Sequence, residues 1–209
     1  MGKITDIVEQ KKNKNRFNIY IDEVFAFGIS GELIYKEHLK KGLVVDEEKL
    51  RKIANEENKL KCRESALRII ERSYKTENEI KNKLLEKGYG IEEVNESVNF
   101  LKEYKFIDDR NYVKLFIKDR LRNQGKQKIK YSLKLKGISD EIIDEEISNL
   151  DREKEMEVAL ELASKKYTTI IKRESDKYKV REKLTRYLMG RGYDYQVAKD
   201  AVMSVLNVD

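Results

Sequence analysis

The apolar positions of this chain repeat themselves over residues 80–150. Ile80, Leu84, Gly88, Val94, Val98 and Leu101 are followed, 49 positions on (129 − 80, 150 − 101), by Ile129, Leu133, Gly137, Ile143, Ile147 and Leu150 without a gap. In both copies the apolar residues before the glycine sit at helical spacing, and a new helical pattern opens a few residues after it. A glycine at that place reads as the residue just past a helix end, where the left-handed conformation is wanted and a Cβ is penalised. A third copy lies 55 positions beyond the second (184 − 129): Leu184, Leu188, Gly192, Val197 and Val202. Tyr89, Ile138 and Tyr193 then share one role, packing back from just past the stop onto the preceding helix. Self-similarity at a fixed period predicts a helical repeat, here helix, glycine stop, helix, with one further helix leading each copy.

The pattern differs before residue 46. Phe17, Ile19 and Ile21 alternate with polar neighbours, Asp22 and Glu23 interrupt, and Val24–Ile29 is β-rich, which predicts a hairpin. Ile4–Val8 offers a third strand, joined through the polar turn Gln10–Asn15. Ser30–Leu39 reads as a short helix, and Asp46 as the N-cap of a long one reaching Ser73, with a kink expected near Asn55–Asn58. Thr76 and Glu79 form the T-x-x-E capping box of the helix to Lys87, and Ile91–Tyr104 is the next. The second repeat is expected as helices 109–123, 126–136 and 140–150, and the third as 151–172, 175–189 and 194–206. The expected divisions are 1–45 for the β element, 46–107, 108–150 and 151–209 for the repeats. The architecture is mainly α: tandem three-helix repeats in an elongated, curved array behind a small N-terminal β-hairpin element.

Composition fits that picture. Of 209 residues, 40% are charged and 39% hydrophobic, with no proline or tryptophan, a supply that suits a repeat array better than one large core. One cysteine, Cys62, excludes an internal disulfide and a cysteine-based zinc cluster, and His38 is the only histidine, so a metal site would need carboxylates. No apolar run approaches the ~18 residues of a membrane span, and from the polar start neither a signal peptide nor an anchor is expected, which makes a cytoplasmic location the expectation. The net charge of +6 permits binding to nucleic acid or to an acidic protein surface.

From Cys62 to Leu150 the sequence resembles the RecX family, bacterial modulators of the RecA recombinase. The residues that carry it are Ala66-Leu67 with Arg72-Ser73; Glu79 and Leu84 through Lys87-Gly88-Tyr89; Ile107-Asp108-Asp109 with Tyr112; Arg120, Gly125, Ile129 and Leu133; and Lys136-Gly137-Ile138. The third repeat and the N-terminal hairpin extend the resemblance to the longer form of the family, although the third stop reads Gly190-Arg191-Gly192. The resemblance implies a tandem three-helix array without catalysis or cofactor. It implies binding to the groove of the RecA–DNA filament as a monomer, with inhibition of the recombinase the leading outcome.

The residues themselves offer two candidate chemistries. Adjacent Asp108 and Asp109 suggest a metal site, but they precede a helix expected near Asn111, where acids serve as cap and dipole partner. The other is charge. Between Arg110 and Lys136 ten basic residues face one acid, Asp119, and Asp140, Glu141, Asp144, Glu145, Glu146 and Asp151 follow at once. Lys126, Lys130 and Lys134 fall on one helical stripe. With Arg120, Arg122 and Lys128 they are the expected partner contacts, meeting at the corner that Gly125 makes. Arg181, Lys183 and Arg186 add to them in the third repeat, interleaved with Tyr178, Tyr187, Tyr193 and Tyr195. Charge runs are commonly solvated faces, and a stand-alone nucleic-acid-binding module is the alternative function. No paired histidines, reactive-cysteine context or phosphate-cradling glycine loop favours an enzyme.

Overall fold

The computed structural model describes residues 1–11 and 13–207. Lys12, in the expected Gln10–Asn15 turn, and the last two residues of the third repeat lie outside them. The chain divides into two units, Met1–Asp108 and Asp109–Asp209.

The first unit opens with strands β1 (Gly2–Gln10), β2 (Asn13–Ile21) and β3 (Val24–Ser30), helix α1 (Gly31–Lys36) and a two-residue strand β4 (Val44–Val45). The strands form one antiparallel sheet in the order β3-β2-β1-β4. The β2–β3 turn places Asp22 and Glu23 at φ +48° and +70°, the geometry of a tight turn matched to strand twist. Strand β4 has no signal of its own in the sequence; it is two residues long and exists by pairing with Gly2 and Lys3. Ser30 caps α1 by accepting from Leu33 N–H at 3.1 Å. Ile4, Ile19, Ile29, Leu33, Leu50 and Ala54 are buried together, so the sheet packs on α1 and the start of the long helix α2 (Glu47–Arg72).

Helix α2 runs unbroken through the expected kink. Asn58 is instead a buried anchor, donating to Gly28 C=O at 2.6 Å. Its C-terminal half joins α3 (Glu77–Glu86) and α4 (Ile91–Glu103) around Cys62, Ala66, Ile80, Leu84, Val94, Val98 and Leu101. Thr76 and Glu79 form the complete capping box at the start of α3.

In the second unit, α5 (Asp109–Arg120), α6 (Lys126–Leu135) and α7 (Asp140–Ser148) bury Val113, Ile117, Ile129, Leu133, Ile138 and Ile143. Helices α8 (Arg152–Ile170), α9 (Lys177–Gly190) and α10 (Tyr195–Leu206) bury Ala159, Ala163, Leu184, Leu188, Val197, Val202 and their neighbours. Thus three three-helix bundles, each with its own core, follow the sheet.

The three stops share one geometry. Gly88, Gly137 and Gly192 have φ of +84°, +77° and +90°. Tyr89 N–H donates to Leu84 C=O, Ile138 to Leu133 and Tyr193 to Leu188, at 3.2–3.3 Å, while each glycine N–H bonds three residues back. That pair of bonds is the Schellman motif. In the third repeat α9 extends to Gly190, Arg191 is its C-cap, and Gly192 is the stop.

Candidate partner-binding surface

The basic helix α6 carries no acid in its first turn, and Gly125 at its N-cap makes no side-chain cap. A one-sign helix is repelled by itself unless an opposite charge lies across from it. The anionic α7 provides that charge. Lys134 lies 2.6 Å from Asp140, Lys130 pairs with Asp144, and from α5 Arg110 pairs with Glu145 while Lys114 lies 3.7 Å from Glu146. The ammonium beside Asp140 and the guanidinium beside Glu145 hold those two carboxyls below their usual range, and Asp144 raises the Lys130 ammonium. The segregation of charge along the sequence is therefore closed within the bundle.

Lys126 differs from the rest of its stripe. Its Nζ lies 3.2 Å from Glu155, whose side chain is 3% exposed, and its backbone N–H donates to the same carboxylate at 3.2 Å. Glu155 sits on α8 one turn before Ala159 and two before Ala163, an acid on the buried stripe. Lys126 thus ties the second bundle to the third. The same joint holds Gly125 N–H to Arg191 C=O, Gln127 N–H to Gly192 C=O, and the Arg191 guanidinium to Asn123 C=O, each at 3.0 Å. Gly125 has an ordinary φ of −81°; it is glycine because a Cβ there would lie 2.4 Å from Gly192 O and Tyr193 N. Tyr193 is buried beside Glu155, and burial with that charge pushes its hydroxyl up to about 12.

The nine cations expected to meet a partner therefore divide. Lys126, Lys130, Lys134, Lys183 (2.8 Å from Glu174) and Arg186 (with Glu182) pair with carboxylates of their own unit. Arg120 lies 3.6 Å from Asp119 and over the Phe116 ring. Among the described residues, Arg122, Lys128 and Arg181 pair with none, and all three are exposed. Lys128 lies against Gly192 at the joint, and Arg181 lies over Tyr178 and lines a 300 Å3 cleft with Tyr195 and Lys199. Of the tyrosines interleaved with these cations, Tyr131, Tyr178 and Tyr195 are exposed, Tyr187 lies under Lys166 and Arg191, and Tyr193 is core. Sequence reasoning missed Glu155 and read Arg191 as a basic residue at the third stop, not as part of this joint. The signal for Glu155 was an acid in register with Ala159 and Ala163.

The remaining candidates are structural in placement. Helix α5 starts two residues before Asn111, so Asp109 lies in its first turn, and Asp108 precedes it with its C=O accepting from the Tyr74 hydroxyl at 3.3 Å. No group of three or more metal-ligating side chains converges among the described residues. Tyr112 stacks on Phe116 and under Lys136. Cys62 is buried, and burial pushes its thiol up to about 11. No helix among the described residues is long and apolar enough to cross a membrane.

Four family models match the chain in order: the regulatory protein RecX N-terminal domain over residues 2–46, and the first, second and third RecX three-helix domains over 62–101, 108–146 and 153–202. The regulatory protein RecX of Clostridium beijerinckii is 51% identical over 209 residues, covering 100% of this chain and 98% of that protein. That of Clostridium perfringens is 46% identical over 207 residues, 99% and 98% of the two chains. A crystal structure of regulatory protein RecX superimposes with a TM-score of 0.67 at 25% identity, over 99% of this chain and 100% of that one. RecX from Lactobacillus salivarius shares the fold, with a TM-score of 0.66 at 20% identity over 72% of this chain and 97% of that one.

Proposed function

The chain belongs to the RecX family, and on that footing we propose that it regulates the RecA recombinase by lying in the groove of the RecA–DNA filament and inhibiting it. Its relatives are named as regulatory proteins over their full length. The observation that carries the proposal is the collinear match of one N-terminal and three three-helix family domains along nearly the whole chain. Serial three-helix bundles suit a repetitive partner, because each unit meets one portion of it. In this reading the protein acts as a monomer in the cytoplasm, needs no cofactor and performs no catalysis. Its effect is a difference in affinity between filament states.

The charges refine where contact is made. An exposed ion pair is worth only about 0–1 kcal/mol and can be exchanged for a partner's charge, but an unpaired exposed cation has nothing to give up. Arg122, Lys128 and Arg181, with Tyr131 beside the stripe, are therefore the contacts proposed first. Lys130 and Lys134 come second, and Lys126 is a joint residue. The alternative, a stand-alone nucleic-acid-binding module, draws on the exposed Tyr178 and Tyr195 beside Arg181 and Lys199.

The test is co-sedimentation with preformed RecA–DNA filament and with DNA alone, alongside RecA ATPase. The parent chain is expected to sediment with filament and to slow ATP turnover. A folded Arg122→Glu/Lys128→Glu/Arg181→Glu chain should lose about tenfold or more in inhibition, and Lys130→Glu/Lys134→Glu less. Strong binding to naked DNA with no effect on RecA would instead establish the nucleic-acid module.

A further inference from the structure

We propose that the first unit holds a phosphate-binding cleft centred on Arg16. The cleft, of about 660 Å3, lies where β2 and the start of α1 meet α2 and the end of α3. Arg16, on β2, is 5% exposed. Its guanidinium lies 4.6 Å from the centre of the Tyr89 ring, and its Nε is buried without a hydrogen-bond partner. Among the described residues it makes no ion pair or hydrogen bond through its side chain. Burial lowers its pKa, opposed by Tyr89 and then by Glu57 and Glu93, neither of which forms an ion pair with it. Glu57 is occupied by Ser30, whose hydroxyl and N–H both donate to it.

A guanidinium carries five donors, and a ring face satisfies none of them as a hydrogen bond does. A buried cation without an anion is costly, and breaking such pairs is among the larger losses a protein shows. Arg16 is thus the residue whose cost a bound oxyanion would remove.

The rim supports the same reading. Lys61 and Arg68 pair with the two acids of the cleft, Glu32 at 2.6 Å and Glu64 at 3.4 Å. Lys14 and Lys87 line it with no carboxylate of their own. Among the described residues the cleft therefore presents three cations without a carboxylate partner, Arg16 buried and Lys14 and Lys87 exposed at the mouth. A forked guanidinium with two lysines as point charges is the donor set that suits a phosphate group. The Tyr89 hydroxyl, held by Ser65 at 2.9 Å and by Lys61 C=O at 3.0 Å, fixes the ring under Arg16 and so keeps the fork aimed. The shared chemistry is a phosphate, supplied either by a nucleic-acid backbone or by a free phosphate compound. All the residues that line the site belong to the first unit.

The experiment is calorimetric titration of the full chain with inorganic pyrophosphate at low ionic strength. One saturable site per chain is expected. Lys14→Glu/Lys87→Glu, both at the exposed rim, should weaken it about tenfold or more by reversing two charges near the anion, with thermal unfolding unchanged. Arg16→Met should remove binding; should that chain fail to fold, the rim variant alone decides. Oligothymidylate displacing pyrophosphate assigns the cleft to a nucleic-acid phosphate, and failure to displace assigns it to a free phosphate compound; both support the proposal. No saturable binding by the parent, undiminished binding by the rim variant, or equal displacement by a glutamate hexapeptide overturns it.

Discussion

Gly88, Gly192 and Gly125 are required for different reasons, and substitution separates them. At Gly88 the backbone is left-handed, and the atoms nearest an added Cβ belong to the Gln10 amide end, 2.1 Å away, the tip of a flexible side chain that can move aside by giving up one hydrogen bond to Asn18. Alanine there should cost about 1 kcal/mol, the price of the dihedral. At Gly192 the same dihedral is joined by contact with backbone: a Cβ would lie 2.4 Å from Lys128 N and 2.3 Å from its Cβ. Alanine should cost about 2 kcal/mol or more, overpacking added to strain. At Gly125 the dihedral is ordinary and the whole loss, about 1–3 kcal/mol, is steric. Lys105 shows the converse, a Schellman stop at φ +57° without glycine, with Phe106 N–H on Leu101 C=O at 2.8 Å. Lys105→Gly should therefore stabilise, by up to about 1 kcal/mol. Urea midpoints of the four variants check the order, and equal losses at 88 and 192 would show that the joint yields to a methyl group.

Between elements, the stripe on α6 looks uniform in sequence and is not uniform in energy. Lys134 is an exposed partner of an exposed acid, so Lys134→Met should move stability by less than about 1 kcal/mol. Lys126→Met strands Glu155, 3% exposed, against the buried Tyr193 hydroxyl, and should cost about 3 kcal/mol. Chemical denaturation of the two variants decides; similar midpoints would show that Glu155 finds water when its lysine is removed. Reversing Lys126, Lys130 and Lys134 together would thus disturb the joint as well as the surface. This is also where sequence legibility ends. The period of 49 places α3 on α6 at both ends, 77 to 126 and 86 to 135, because core positions and stops are set by neighbours in the chain. Ile80, Leu84 and Val94 and their partners Ile129, Leu133 and Ile143 are all 0% exposed. The identity of the partner of a charge is not local. Asp140 and Asp144 follow the stripe closely, yet only the turn of α7 back onto α6 turns a run of charges into ion pairs. Strand β4, two residues long, and Asn58, polar within a helix, were invisible for the same reason: each is defined by what it meets across the fold.

For the chain as a whole, the consequence is that net charge overstates what is available to a polyanion. The formal charge is +6, from 45 basic and 39 acidic residues, and of the nine cations expected from the sequence at the partner surface only Arg122, Lys128 and Arg181 pair with no carboxylate among the described residues. Each phosphate neutralised on a single strand contributes roughly 0.7 to the slope of log affinity against log salt. Three contacts give a slope of about −2, whereas all nine would give about −6. A shallow slope means weak binding to naked DNA at physiological salt, so that stable association depends on what the filament adds: RecA surface and a fixed groove. Measured by fluorescence anisotropy on oligothymidylate, in the Lys14→Glu/Lys87→Glu background so that the Arg16 cleft does not contribute, the slope is expected near −2. Arg122→Glu/Lys128→Glu/Arg181→Glu should bring it close to zero. A slope near −6 that survives this variant would mean that the α6–α7 ion pairs open on DNA, and the cationic stripe would then rank ahead of the three unpaired residues as the contact.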